Sequence, residues 1–178
     1  MKLHLGCGPR HIPGFVHIDA LDAPHVDHVA AIDRLPFIPD DSVELIYACH
    51  VLEHFKRSVV AEVLGEWRRV LRPGGVLRLA VPDFAALCEV YQSTGRLDLV
   101  IGPLYGRQNH LYNIHYNAFD ETSLGALLEQ AGFEHAARYD WRATGHADVD
   151  DFSQAYIPHL DREHGTLISL NMETRKPR

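Results

Sequence analysis

Four places in this sequence hold residues whose types and spacing could do chemistry. Leu5-Gly6-Cys7-Gly8 closes the first β-rich run with glycines that let backbone N–H groups approach a ligand without side-chain interference. Asp19, the last residue of the run VHID, is placed to accept hydrogen bonds from a diol such as that of a ribose. His50-Val51-Leu52-Glu53-His54 would, if helical, put two imidazoles and a carboxylate on one face. Asn109 to Asn117 (NHLYNIHYN) gathers His110 and His115 with Tyr112 and Tyr116, and a histidine near neutral pH can take a proton from a hydroxyl.

Each of these has an ordinary alternative. Gly-x-Gly also makes a tight turn with no ligand, and most of the thirteen histidines are expected to be polar loop residues satisfied by hydrogen bonds. Tyr112 and Tyr116 could shape a pocket or simply pack. Asp83, after Val81-Pro82, stands at a strand end where sites collect, yet could equally cap the helix that follows.

Short β-rich runs alternate with helical ones along the chain, which predicts an α/β layer fold around a largely parallel sheet. Strands are expected at Lys2–Leu5, Phe15–Asp19, His28–Ile32, Val43–Cys49 and Val76–Val81, and later at Phe133–Tyr139 and Thr166–Thr174. Val60, Val63, Leu64, Trp67, Val70 and Leu71 recur at three- and four-residue steps and so mark one apolar helix stripe. Arg72-Pro73-Gly74-Gly75 is expected to stop that helix and turn the chain into the next strand. Asp120 can cap a second helix through Gln130, with Leu124, Leu127 and Leu128 inward and Gly132 ending it. Thr94–Phe119 shows no clear period and reads as a long loop over the site with at most one helical turn, while 146–164 reads as irregular, acidic and mobile.

A chain of 178 residues with 46% hydrophobic composition suits one domain, 1–178. A formal charge of −7 with scattered basic residues disfavours a nucleic-acid partner. No signal peptide and no membrane span are read, and Cys7, Cys49 and Cys88 lack disulfide or zinc-ribbon spacing; reduced thiols in a cytoplasmic protein are the expectation.

The pieces LGCG, the strand-end Asp19, IDRLPFIPDDSVELIYA, VLEHF, EWRRVLRPGGVLRLAVPD and LLEQAGF, in that order over most of residues 3 to 135, together resemble the class I S-adenosylmethionine-dependent methyltransferases, particularly their small type 11 branch. The resemblance implies a Rossmann-like three-layer α/β sandwich whose seven-stranded, mostly parallel sheet is ordered 3-2-1-4-5-7-6, with the last-placed strand antiparallel. It also implies S-adenosylmethionine lying across the carboxyl ends of strands one, two and four. Carried over by position, Gly6, Cys7 and Gly8 would line the methionine moiety and Asp19 the ribose. Ile32, Asp33 and Leu35 would line the adenine, and Cys49 and His50 would sit beside the reactive sulfonium.

Two departures stand out. His4 occupies the place of the family's usual acidic residue, and Arg10 that of its third glycine. Asp19 follows Gly8 by only eleven positions, against roughly 20 in a full dinucleotide fingerprint, so the crossover helices after strands one and two must be trimmed. One side of the sheet is then expected to be bare, and a homodimer through that face follows as an expectation. The implied activity is O- or N-methylation of a small polar acceptor. A hydroxyl acceptor would need a base: His115 first, then His110, then His50. The alternatives are a methyltransferase-like scaffold that has lost activity and, because H-x-x-E-H is also the inverted zinc-protease signature, a metal-dependent hydrolase. No metal ligand is assigned, since the pentapeptide follows a buried strand at once and no third ligand is marked downstream.

Overall fold

The apolar runs of the sequence become the strands of one sheet. The computed structural model describes residues 1–109 and 111–178. Strands β1 (Lys2–Leu5), β2 (Val16–Asp19), β3 (His28–Val29), β4 (Val43–Cys49), β5 (Leu71–Pro82), β6 (Glu134–Arg138) and β9 (Ser169–Arg175) form a seven-stranded sheet in the order β3-β2-β1-β4-β5-β9-β6. The first five are parallel, and β9 runs antiparallel between β5 and β6. This is the expected order, since β9 is the sheet's seventh strand in sequence. A two-stranded hairpin, β7 (Tyr156–Ile157) with β8 (Thr166–Leu167), stands apart.

Parallel register puts Leu3 beside Ile46 and Ile46 beside Leu77, and likewise Leu5 beside Ala48 and Ala48 beside Leu79. These apolar rows point to one face because successive side chains alternate across a strand. Helix α1 (Val60–Val70) buries Val60, Val63, Leu64, Trp67 and Val70 in the same core, so the stripe read from the sequence is the packing face. Helix α4 (Glu121–Gln130) adds Leu124 and Leu128. Its start is fixed by a capping box, in which Asp120 accepts from the Ser123 N–H at 2.8 Å while the Ser123 hydroxyl accepts from the Asp120 N–H at 3.1 Å.

Several boundaries differ from expectation for identifiable reasons. The Arg72–Gly75 run lies inside β5 as a bulge: Val43 pairs with Leu71 and Leu45 with Val76. A Cβ on Gly75 would come within 2.7 Å of the Arg72 carbonyl, so only glycine fits there. β3 stops at Val29 instead of reaching Ile32. Thr94–Phe119 is not mainly loop, because α2 (Phe84–Thr94) runs into it and α3 (Leu97–Tyr105) occupies nine residues. Only Val100 of α3 is fully buried, and the helix carries Gly102 and Pro103, which is why no period stood out.

Between β1 and β2, and between β2 and β3, no helix is present; the crossovers are trimmed as expected. The face they would cover is nevertheless not bare. His17, His4, Tyr47, Arg78 and Glu173 lie in one register row across five strands on that side. The chain's own later segment closes over them: the His146 ring packs 4.4 Å from Tyr47, and the Tyr47 hydroxyl donates to Asp151 at 2.6 Å. His4, His17 and Tyr47 are 2%, 1% and 0% exposed. This intramolecular cover removes the premise on which a homodimer was expected. Within 146–164, which includes β7, residues 147–154 are tied together and to the sheet: the Gln154 amide donates to the carbonyls of Ala147 and Val149, and Asn171 donates to that of Ser153. Among the described residues no helix is long and apolar enough to cross a membrane.

Candidate active site

At the carboxyl ends of β1, β2 and β4 the chain surrounds a cavity of about 620 Å³. The glycine turn forms one wall. Gly6 has φ +63° and a Cβ there would stand 2.5 Å from Cγ2 of the Val51 side chain, so glycine suits both the left-handed backbone and the close packing against Val51. Gly8, at φ +52°, has nothing within 4 Å of its missing Cβ. The Asp19 carboxylate fastens this turn, with one oxygen accepting from the Gly8 N–H and the other from the Leu21 N–H, each at 2.8 Å. Every carboxylate oxygen has two acceptor positions, so Asp19 keeps capacity for a diol while holding the loop.

Ile32 and Asp33 line the next part of the cavity. The Ile32 carbonyl is fixed by the Trp67 indole N–H at 2.8 Å, which ties the wall to the buried face of α1. Leu35 does not take part. It is 0% exposed in the core, where its N–H donates to Glu66 at 2.6 Å, and the assignment to adenine is corrected accordingly. Cys7 and Cys49 both line the cavity. Burial and the nearby Asp19 push the Cys7 thiol up to about 12, and burial raises Cys49 as well, so both stay protonated and neither is a nucleophile.

His50, at the end of β4, has a left-handed backbone with φ +52°, unusual for a residue with a side chain and found where a site constrains the chain. Its Nε2 stands 3.1 Å from the Ser169 hydroxyl, and its ring lies against Phe152. Burial, reinforced by His115 and His54, lowers its pKa to about 3, so the ring is neutral. The Leu52–His54 segment is a single 3-10 turn and His50 lies outside it, so the two histidines do not share a helical face as H-x-x-E-H predicted.

Glu53 is 0% exposed, burial raises its carboxyl to about 8, and neither carboxylate oxygen has a hydrogen-bond partner. Its Oε1 lies 3.3 Å from His50 Nδ1, close but without hydrogen-bond geometry. The loop bearing His115 is clamped to this turn: the Tyr116 N–H donates to the Glu53 carbonyl at 2.8 Å and the Asn117 amide to the Phe55 carbonyl at 2.6 Å. His115 itself does not line the cavity. Its Nδ1 donates to the Pro103 carbonyl at 2.8 Å, and its ring meets His54 edge-on at 4.8 Å. His110 lies outside the described residues. Tyr112 reaches the cavity rim with Leu111 and Asn113, whereas Tyr116 does not. Asp83 caps α2 through the Ala85 and Ala86 N–H groups and pairs with Arg138 at 3.0 Å, which makes it a structural residue.

His4 and Arg10, the two departures, both face the cavity. Burial, with the neighbouring imidazoles of His17, His146, His25 and His11, depresses His4 to about 3, and its Nδ1 has no partner. Sequence reading missed His54, Phe55, Asp151 and Phe152 as wall residues. The first two lay within the recognised VLEHF run, but nothing local marks Asp151 and Phe152, which return a hundred residues after β4.

Residues 13–79 match the sequence profile of a family described as "Methyltransferase domain". Over that segment the chain is similar to this family. A protein of Mycolicibacterium smegmatis named "Probable S-adenosylmethionine-dependent methyltransferase" is 30% identical over 135 residues, covering 74% of this chain. The chain spans only 40% of that relative's length. Among solved structures, the chain is similar to a 1,6-didemethyltoxoflavin-N1-methyltransferase of Burkholderia thailandensis with bound 1,6-didemethyltoxoflavin and S-adenosylhomocysteine, at TM-score 0.59 and 18% identity, over 99% of this chain and 71% of that one. A SAM-dependent methyltransferase of Archaeoglobus fulgidus gives TM-score 0.58 and 14% identity, over 98% of this chain and 85% of that one. At these identities the structures establish the shared fold.

Proposed function

We propose that this domain binds S-adenosylmethionine in the 620 Å³ cavity and transfers its methyl group to a small polar acceptor through a hydroxyl or amine. The observation that carries the reading is the convergence of Gly6, Gly8, Asp19, Ile32 and Asp33, from three separate strand ends, on one cavity at the carboxyl edge of a parallel sheet. The residues fit the group: a cradle that a Cβ at Gly6 would disrupt, a carboxylate with acceptor capacity for a ribose, and an apolar wall for a base. The cofactor supplies a methyl carbon on a sulfonium, and transfer forms the acceptor–carbon bond as the carbon–sulfur bond breaks onto sulfur.

The chain's own work is to align the reactants and exclude water. Of the candidates His50 and His115, His50 lines the cavity; its pKa of about 3 keeps the ring neutral, so its part for a hydroxyl acceptor is to accept a hydrogen bond and orient it. The exposed apolar residues Leu111, Tyr112 and Phe152 at the rim, 84%, 57% and 58% exposed, would close against the acceptor. The named binding partner of the Burkholderia neighbour, a small molecule, supports an acceptor of that size.

One observation favours a second reading, a binding protein without transferase activity. His4 stands where the resembled family has an acid, is neutral, and offers no charge to an ammonium group. Titration calorimetry with S-adenosylmethionine and S-adenosylhomocysteine separates the two. Micromolar binding, weakened at least about tenfold by Asp19→Ala with thermal stability measured alongside, supports transfer. Absence of binding by folded protein selects the second reading.

A further inference from the structure

The sequence marks no third ligand after His50-x-x-Glu53-His54, which argues against the hydrolase reading; tertiary structure brings His115 beside Glu53 and His54. We propose that Glu53, His54 and His115 form a site for a first-row divalent cation, zinc being the test case, with its open position toward the cavity. One ligand atom from each lies within 4.8 Å of the others. Zinc ligands about 2.0–2.2 Å from the ion stand about 3.5 Å apart in a tetrahedron, a closure that side-chain rotations of about an ångström achieve.

Glu53 gives the strongest independent sign. It is 0% exposed with both carboxylate oxygens unpartnered, an arrangement that is costly unless a proton or a cation compensates it. Both imidazoles are oriented in the manner of metal ligands, each donating Nδ1–H to a backbone carbonyl, His54 to Ile114 at 3.2 Å and His115 to Pro103 at 2.8 Å. Those bonds place the lone pair on Nε2 and fix the ring planes. The donors also come from two segments locked together, since the Tyr116 N–H bonds the Glu53 carbonyl and the His115 N–H bonds the Tyr105 carbonyl. Two imidazoles and one carboxylate suit zinc, iron or cobalt better than magnesium or calcium.

Three protein ligands leave a position for water or substrate, and His54 lines the cavity. An acceptor hydroxyl bound there would lose its proton to solvent near neutral pH, the oxygen remaining on the ion. That last step rests on the methyl-transfer reading; the cation site does not.

The test uses the whole chain, dialysed against a chelator and titrated with zinc in competition with a chromophoric indicator, and with cobalt(II) followed by its visible bands. The expected result is one ion per chain, weakened at least about a hundredfold by Glu53→Gln and by His115→Ala, and unchanged by His135→Ala on the exposed edge of β6. X-ray absorption at the zinc edge of the wild-type chain should show nitrogen and oxygen neighbours, which holds the proposal to account even if a variant folds poorly. Folded protein that takes up no ion at micromolar zinc, affinity indifferent to both substitutions, or sulfur from Cys7 or Cys49 in the ligand sphere would overturn it. Calorimetry of the metal-free chain with S-adenosylmethionine reports on the cofactor separately, so failure of either reading leaves the other standing on its own result.

Discussion

The two faces of the central sheet are built on opposite principles. On one, Leu3, Leu5, Ile46, Ala48, Leu77, Leu79 and Met172 lie in apolar rows beneath α1 and α4, and all are at most 1% exposed. On the other, His17, His4, Tyr47, Arg78 and Glu173 follow one another across the strands and are covered by irregular chain. Each apolar residue contributes by leaving water, which needs no particular partner. The polar ones depend on particular partners: the His17 Nε2 accepts from the Ile12 N–H at 2.9 Å, Arg78 pairs with Glu173 at 2.6 Å, and Tyr47 with Asp151 at 2.6 Å, while His4 Nδ1 is left without one. The first face is tolerant of exchange and the second is specific.

The largest effect is expected on the apolar face. Trp67→Ala removes the largest fully buried side chain and its bond to the Ile32 carbonyl. It should cost about 3–5 kcal/mol in urea unfolding. A cost below about 1 kcal/mol would show that the helix-covered face is loosely packed. On the polar face, Tyr47→Phe keeps the ring but strips the buried Asp151 of a donor. It should cost about 1–3 kcal/mol despite the loss of a single oxygen. If it is neutral, the cover over this face does not depend on matched polar pairs.

A third experiment addresses His4 through pH. Its pKa is lowered from 6.5 to about 3 in the folded chain, so the unfolded state takes up a proton first. The native state is therefore favoured fully above pH 6.5 and loses about 1.4 kcal/mol per pH unit from this group as pH falls toward 3. His17, His146, His25 and His11 surround it, and His17 and His146 are themselves depressed by burial, so they steepen the same fall. His4→Phe should flatten the pH dependence of unfolding by about one proton; an unchanged slope would mean that His4 is not buried neutral. The smallest effect is expected far from both faces, where Arg96→Ala breaks only the exposed pair with Asp98 and should leave the urea midpoint unmoved.

Legibility followed the same division. The stripe of α1, the Asp120 cap, the bounds of β4 and the order of the sheet were readable because each follows from local periodicity or from a run of recognised motifs. The glycine turn beside the strand-end Asp19 was readable too, since the Gly8 N–H to Asp19 bond that fastens it joins residues close in sequence. Leu35 was misassigned because a position in a motif does not say which way a side chain turns once Glu66 holds its N–H. α3 was missed because its apolar residues are not confined to one stripe. The cover by 146–154 was missed because a segment without periodicity carries no signal of the face it will meet.

By itself the sequence determined the placement of most sheet strands and of α1 and α4, the glycine turn and the shortness of the first two crossovers, all of which are settled by spacings within about twenty residues. Only the tertiary structure decided that His4 and Tyr47 are roofed by Asp151 and His146, and that His115 comes to rest beside Glu53 and His54. The reason is physical. Apolar burial is non-directional and leaves a repeating mark in the sequence, whereas polar contacts between distant segments depend on the three-dimensional path that brings particular atoms within hydrogen-bonding or coordinating reach.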